Sequence, residues 1–274
     1  MLMIFITVAV VLCLYLLAIK PNTRRREQME PFRKVYIAHR GLFDNKGEAP
    51  ENSMAAFGKA VERGYGIELD VQLTRDHKLV VFHDGTLKRM CKTKGTVVDH
   101  TFEELKQYSL AVSEEKIPLF QDVLNMVDGR VPLIIEIKPE GDCIETARTL
   151  AEMMQGYKGT YCIESFHPLV VAWYRFHQPE VLRGQLATIC SKDGIERNIL
   201  ERFILTNLLL NFLAKPDFIA YNHKYASQFS YRLCRKLYSV ENVAWTIKNQ
   251  KQLDRAKEVF QVFIFDNFNF FNPC

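Results

Sequence analysis

The chain has 274 residues, 36 Lys and Arg against 32 Asp and Glu, and 48% hydrophobic residues. This ordinary globular composition excludes a disordered chain, a collagen and a multi-span membrane protein. The basic excess lies at the start: Lys20, Arg24, Arg25, Arg26, Arg33 and Lys34 face only Glu27 and Glu30, so residues 35–274 are formally neutral. Nucleic acid is therefore not an expected partner, because phosphate backbones need clustered cations.

Met1 to Ile19 carries no charge and is almost wholly Leu, Ile, Val, Phe, Met and Ala. As a helix it would span roughly 28 Å, close to the hydrocarbon thickness of a bilayer. Its positive charges follow the apolar run, and Leu17-Ala18-Ile19-Lys20-Pro21 is a poor cleavage site, so an uncleaved anchor is expected in place of a signal peptide. The sequence thus predicts a transmembrane helix at 1–20, a basic linker at 21–34 and a catalytic-size domain at 35–274. The positive-inside rule puts that domain in the cytoplasm of a single-pass membrane protein, with Arg24–Arg26 near lipid headgroups. Seven cysteines without C-x-x-C spacing suit reduced thiols and give no zinc site or disulfide framework.

Beyond residue 34, β-rich runs alternate with helical patterns. Strands are expected at Val35–Ala38, Ile67–Val71, Leu133–Ile137, Tyr161–Glu164, Leu182–Leu186, Asp217–Tyr221, Val243–Thr246 and Val262–Phe265. Helices are expected at Ser53–Arg63, Phe120–Val127, Ile144–Gln155, Pro168–Phe176, Ile195–Leu213, Ser230–Leu237 and Gln250–Val259. Eightfold alternation is the pattern of a TIM (β/α)8 barrel, an α/β fold. Lys78–Phe82 follows Val71 too closely for a helical crossover and reads as the return arm of a β-hairpin after strand 2. A turn near Asp76 would set His83 across from Glu68. Thr101-x-x-Glu104 is a capping box opening a helix to about Tyr108. The stretch from Phe203 to Leu213 is apolar but too short to span; it suits a buried outer helix or a lipid-touching one near the barrel mouth.

Polar residues at strand ends carry the chemistry. Glu68 and Asp70 share one face of their strand, as do Glu136 and Lys138 of theirs. Carboxylates on an inward face are costly unless a cation compensates them. Three oxygen ligands without cysteine suit one divalent cation, Mg²⁺ or Ca²⁺. Arg40 and Lys138 suit an anionic group, most simply a phosphate. His39 and His83 supply a proton acceptor and a donor near neutral pH. Together these groups are what displacement at a phosphodiester requires. Asp84 reads as a turn and hydrogen-bonding residue, not a ligand. His77, His100, His167, His177 and His223 read as surface or structural, and Trp245 as either cleft wall or core.

The segments Ala38-His39-Arg40-Gly41, Pro50-Glu51-Asn52-Ser53, Glu68-Leu69-Asp70-Val71-Gln72-Leu73-Thr74, Val80-Val81-Phe82-His83-Asp84 and Glu136-Ile137-Lys138 resemble, in this order, the glycerophosphodiester phosphodiesterases. That family has a TIM barrel related to the phosphatidylinositol-specific phospholipases C. The resemblance runs from about Val35 to Asp266, with echoes in Glu164-Ser165-Phe166 and Ala244-Trp245-Thr246. It departs at Phe265-Asp266-Asn267, where the family usually has Thr-Asp followed closely by proline. It implies Glu68, Asp70 and Glu136 as metal ligands, His39 and His83 as the acid–base pair, and Arg40 and Lys138 on the phosphate. Glu51 would lie near the metal or glycerol, and Trp245 would line the substrate cleft. It also implies attack by the neighbouring glycerol hydroxyl to give a cyclic phosphate, then opening by water to glycerol 3-phosphate and an alcohol. The alternatives are a phospholipase D-type activity on lysophospholipids and a non-catalytic, membrane-tethered binding module. The intact five-residue set argues against the last.

Overall fold

A computed structural model describes residues 1–194, 198–266 and 268. Nine strands are present: β1 (Ile37–His39), β2 (Gly66–Leu73), β3 (Leu79–Val81), β4 (Leu133–Ile137), β5 (Tyr161–Ser165), β6 (Leu182–Ala187), β7 (Phe218–Asn222), β8 (Glu241–Ile247) and β9 (Val262–Phe265). Their order is β1-β9-β8-β7-β6-β5-β4-β2-β3, and β1 also pairs with β2, so eight parallel strands close into a barrel. The TIM barrel is therefore as the alternation predicts, with helices between successive strands. β3 is the antiparallel return arm of the hairpin, outside the ring.

Register gives the barrel its polarity. Period two turns Ile37 and His39, Ile134 and Glu136, Cys162 and Glu164, and Val262 and Ile264 toward the axis. The lower positions, Ile37, Ile134, Cys162, Leu182, Phe218, Val243 and Val262, form one buried apolar cluster closed below by Met29 and Phe32. Gly184 sits in this interior because a Cβ there would lie 2.1 Å from the Phe218 ring. The alternate strand residues face outward and pack beneath the helices in a second cluster. A third covers the excursion from Val80 to Ile117, where Phe82, Leu87, Phe102 and Leu105 are buried together. Its helix Phe102–Leu105 opens on the Thr101–Glu104 capping box that the sequence predicts.

Three expectations need correction. The hairpin pairs Val71 with Val81 and Leu73 with Leu79, so the ladder continued upward sets His83 opposite Leu69, not Glu68. The cause is a three-residue loop at 75–77 closed by Thr74 N–H to Lys78 C=O at 3.0 Å, with His77 at φ 56°.

The second correction concerns the membrane anchor. No helix among the described residues is long and apolar enough to cross a membrane, which overturns the transmembrane helix, the single-pass localisation and the cytoplasmic placement drawn from it. The amino-terminal helix is Leu2–Ala18, 17 residues, about 25 Å long, and the chain then turns into the barrel. Ile19 is fully buried, its carbonyl accepts from Asn211 Nδ2 at 2.9 Å, and Tyr238 OH donates to the Leu16 carbonyl at 2.8 Å. Three of the basic residues behind it are likewise spent on the protein. Arg25 pairs with Asp217 at 3.3 Å, and Arg33 and Arg26 pair with the buried Glu241 at 2.7 and 3.5 Å. Residues Arg26–Arg33 form short helical turns that seat Met29 and Phe32.

The expected helix at 195–213 is two pieces, Ile199–Thr206 and Asn211–Ala214, and positions 195–197 lie outside the described residues. The break follows Leu208, which takes φ 58°.

Candidate active site

The apolar floor gives way to charge at the carboxyl ends of the strands, the face where barrel sites are built. A cavity of about 400 Å³ opens there, and its walls include His39, Arg40, Glu51, Glu68, His83, Glu136 and Trp245. Seven of the nine residues singled out in the sequence thus share one cavity. The other two lie just behind it: Lys138 pairs with Glu136 at 2.9 Å and with Asp70 at 3.4 Å. Both are at most 6% exposed.

β1 ends where the chain must bend sharply. Arg40 takes φ 55° and Gly41 φ 81°, and a Cβ on Gly41 would approach the Ala56 carbonyl carbon to 2.8 Å. Glycine is required by both conformation and space. The bend aims Arg40 back over the site, 2.6 Å from Glu51 and 3.5 Å from Asp70. Asn52 N–H donates to the Arg40 carbonyl at 2.9 Å, and its amide Nδ2 donates to Asp70 Oδ2 at 2.8 Å. The Pro50–Ser53 loop therefore braces both the arginine and a carboxylate.

Each histidine is aimed by a carboxylate. His39 Nδ1 meets Asp266 at 2.6 Å, and His83 Nδ1 meets Asp84 at 2.8 Å. A carboxylate accepts only, so Nδ1–H donates in both and Nε2 is left for other chemistry. His39 Nε2 lies 3.8 Å from Glu68. Burial and then Arg40 push the His39 pKa down, against the pull of Asp266. Arg89 joins Asp84 and Glu51 in bidentate fashion, at 2.6 to 2.8 Å. Burial works to raise the Glu51 pKa, but the Arg89 and Arg40 contacts prevail and hold it at about 2.

Glu68, Asp70 and Glu136 are all buried, and one oxygen of each lies within 4.8 Å of the others. Burial, followed by repulsion from Asp70, drives the Glu68 carboxyl well above the usual range. Burial raises Glu136 also, despite Lys138. At Asp70, burial is outweighed by His83, Lys138 and Arg40, which hold it low. Such a trio of hard oxygen donors can hold a metal ion.

Sequence reasoning missed four participants. Asp266, Arg89 and Asn52 act through side chains already named. Glu164 is a fourth buried carboxylate on the cavity wall. The available signal was strand periodicity, which turns Glu164 inward with Cys162 and carries the inward face of β9 on to Asp266. Asp84, read as a turn and hydrogen-bonding residue, makes its hydrogen bond to His83. The next position, Asn267, lies outside the described residues.

The structure is thus a closed (β/α)8 barrel with two imidazoles and a carboxylate trio at its carboxyl mouth. The sequence signature of the glycerophosphoryl diester phosphodiesterase family matches residues 39–262, and the chain belongs to that family. A glycerophosphodiester phosphodiesterase of Bacillus altitudinis is 47% identical over 109 residues, 37% of this chain and 43% of the relative. Human glycerophosphodiester phosphodiesterase 1 is 28% identical over 174 residues, 58% of this chain and 50% of the relative. The chain thus aligns with about half the length of these relatives. Among solved structures, a glycerophosphodiester phosphodiesterase from Thermotoga maritima superposes with TM-score 0.64 at 25% identity, covering 85% of this chain and 95% of that one. An Oleispira antarctica phosphodiesterase solved with the product sn-glycerol-3-phosphate gives TM-score 0.67 at 21% identity, covering 85% and 93%; at that identity it supports the fold.

Proposed function

We propose that the protein hydrolyses glycerophosphodiesters to glycerol 3-phosphate and an alcohol, using His39 and His83 as acid and base and a divalent cation held by Glu68, Asp70 and Glu136. The observation that carries this reading is the sharing of one cavity by two carboxylate-oriented imidazoles, Glu68 and Glu136, with Asp70 completing the buried acid trio just behind the wall. The donor set fits Mg²⁺ or Ca²⁺: all oxygen, no thiol, and more buried negative charge than Lys138 and Arg40 neutralise. When bound, the cation would supply positive charge for the phosphoryl oxygens.

The chain's own groups do the rest. Arg40 offers a planar guanidinium to a phosphoryl oxygen, and Glu51 holds it in place from the far side. Lys138 balances Glu136 and Asp70 from behind and contributes its charge through them. One imidazole Nε2 takes the proton of the glycerol hydroxyl beside the phosphate as the new O–P bond forms. The other gives a proton to the alcohol oxygen as its bond to phosphorus breaks. Water then opens the cyclic phosphate with the roles reversed. Trp245, edge-on to Phe166 with ring centres 5.6 Å apart, forms part of the cavity wall.

A second reading, phospholipase D-type action on lysophospholipids, is favoured by one feature. An apolar groove of about 210 Å³ lies between Phe166, Leu169, Ile204, Leu205 and Leu210, and shares Phe166 with the catalytic cavity. It would take an alkyl chain on the alcohol or glycerol side.

The test is glycerol 3-phosphate release by the full chain from glycerophosphoethanolamine, with EDTA, Mg²⁺ or Ca²⁺. Release that requires a metal supports the first reading. Choline release from lysophosphatidylcholine, leaving lysophosphatidic acid, with no glycerol 3-phosphate from glycerophosphoethanolamine supports the second, and a folded protein active on neither would leave a binding module.

A further inference from the structure

Glu164 is 1% exposed and lies on the same cavity wall as Glu68 and Glu136. Register explains how. Asp70 pairs with Glu136, and Glu136 with Glu164, so three carboxylates form a row across three adjacent strands on the inward face. Glu68 stands two residues below Asp70 on β2; Glu68, Asp70 and Glu136 have oxygens within 4.8 Å of one another, and Glu164 neighbours that trio through its pairing with Glu136.

The compensating cations are fewer. Among the described residues, Lys138 is engaged by Glu136 and Asp70, and Arg40 is shared between Glu51 and Asp70. Glu164 makes no ion pair among them, and its Oε2 is buried without a hydrogen-bond partner. A buried carboxylate in that condition is costly unless a cation meets it. Even with Arg40 and Lys138 both set against them, these four carboxylates outnumber their basic partners, an excess that a divalent ion would offset.

We propose that Glu164 is a fourth carboxylate of the cation site, and that it biases the site toward Ca²⁺ over Mg²⁺. The proposal rests on the reading of Glu68, Asp70 and Glu136 as cation ligands. The preference follows from coordination chemistry. Ca²⁺ accepts six to eight oxygens in adaptable geometry, whereas Mg²⁺ holds a tight octahedron, retains water and is served by one or two carboxylates. A row of three carboxylates with a fourth below is crowded for Mg²⁺ and well supplied for Ca²⁺.

The experiment is calorimetric titration of the EDTA-stripped full chain with CaCl₂ and with MgCl₂, for wild type, Glu164→Gln and Glu136→Gln. Wild type should bind Ca²⁺ the more tightly. Glu164→Gln, which keeps the shape and removes the charge, should weaken Ca²⁺ by about 10-fold or more and Mg²⁺ by less, collapsing the discrimination. In EDTA the same variant should melt no lower than wild type, because an uncompensated buried charge has gone, while its Ca²⁺-induced rise in Tm shrinks. Unchanged Ca²⁺ affinity in Glu164→Gln beside a weakened Glu136→Gln overturns the proposal and leaves the trio standing. No binding of either ion by wild type overturns both. Should the glutamine variant fail to fold, Glu164→Asp retains the charge but shortens its reach. Weakened Ca²⁺ in that variant supports the proposal, and wild-type affinity overturns it.

Discussion

Asp266 illustrates how a neighbouring carboxylate can set the orientation of an imidazole. Its contact with His39 Nδ1 fixes the ring and its tautomer, and Lys248 holds the other carboxylate oxygen at 3.1 Å. Replacing His39 or His83 by Ala should lower kcat at least about 10²-fold in a folded protein; near-normal turnover would refute the acid–base assignment. Asp266→Asn should act on kcat with little change in KM, since it leaves the cavity shape intact and disturbs only the imidazole. The Glu51 carboxyl belongs to a different balance. Its pKa is about 2 in the fold, against about 4.3 in an unfolded chain. A depressed pKa contributes stability that is present above the unfolded value and is lost as pH falls through the folded one. The Arg89–Glu51–Asp84 cluster should therefore make Tm decline between about pH 4.3 and 2, and Arg89→Ala should flatten that limb of the Tm–pH curve. At this scale the sequence was legible where one strand carries the pattern, as in Glu68-x-Asp70. Glu164 and Asp266 were visible letters whose roles depend on the strands beside them, and a single segment does not contain that information.

Among the elements, the segment before the barrel has the most unexpected role. Arg33 reaches the fully buried Glu241 with two hydrogen bonds, at 2.8 and 2.7 Å. Removing it leaves an acid at the start of β8 with only the longer contact to Arg26. Arg33→Ala should cost about 2 kcal/mol of stability, read as a drop in denaturant midpoint, and should leave KM unchanged because the pair lies at the floor, away from the site. Element types and order could be read from apolar periodicity and turn residues, since these act locally. Register was harder. The hairpin slipped by one position because a three-residue loop and a two-residue loop look alike in sequence, yet the slip decides which residue faces Glu68.

For the whole molecule, the amino-terminal helix separates into two regions with different consequences. Residues 1–14 are exposed, whereas Tyr15 and Leu16 pack on the barrel and Ile19 is buried. Deleting residues 2–14 should leave the melting temperature within a degree or two of wild type. Extending the deletion through Phe32 should lower it severely, because the barrel interior would then open to water at Met29 and Phe32. Equal melting of the two truncations would show that residues 15–32 are dispensable. The apolar character of this helix was plain from composition. What composition did not carry is where it stops, and that is set by partners on Asn211 and Tyr238, some two hundred residues later.

The closure of the ring by β1 has a consequence in time as well as in space. β1 bonds to β2 on one side and to β9 on the other, through Ile37 with Ile264 and Ala38 with Phe265. During synthesis the first strand emerges long before its second neighbour exists. Until Val262–Phe265 leaves the ribosome, β1 and β8 both present unpaired edges, the kind of surface on which other chains add strands. A nascent chain stalled short of residue 262 is thus an open sheet with two sticky borders, and chaperone demand should peak there and fall once the last four-residue strand is released.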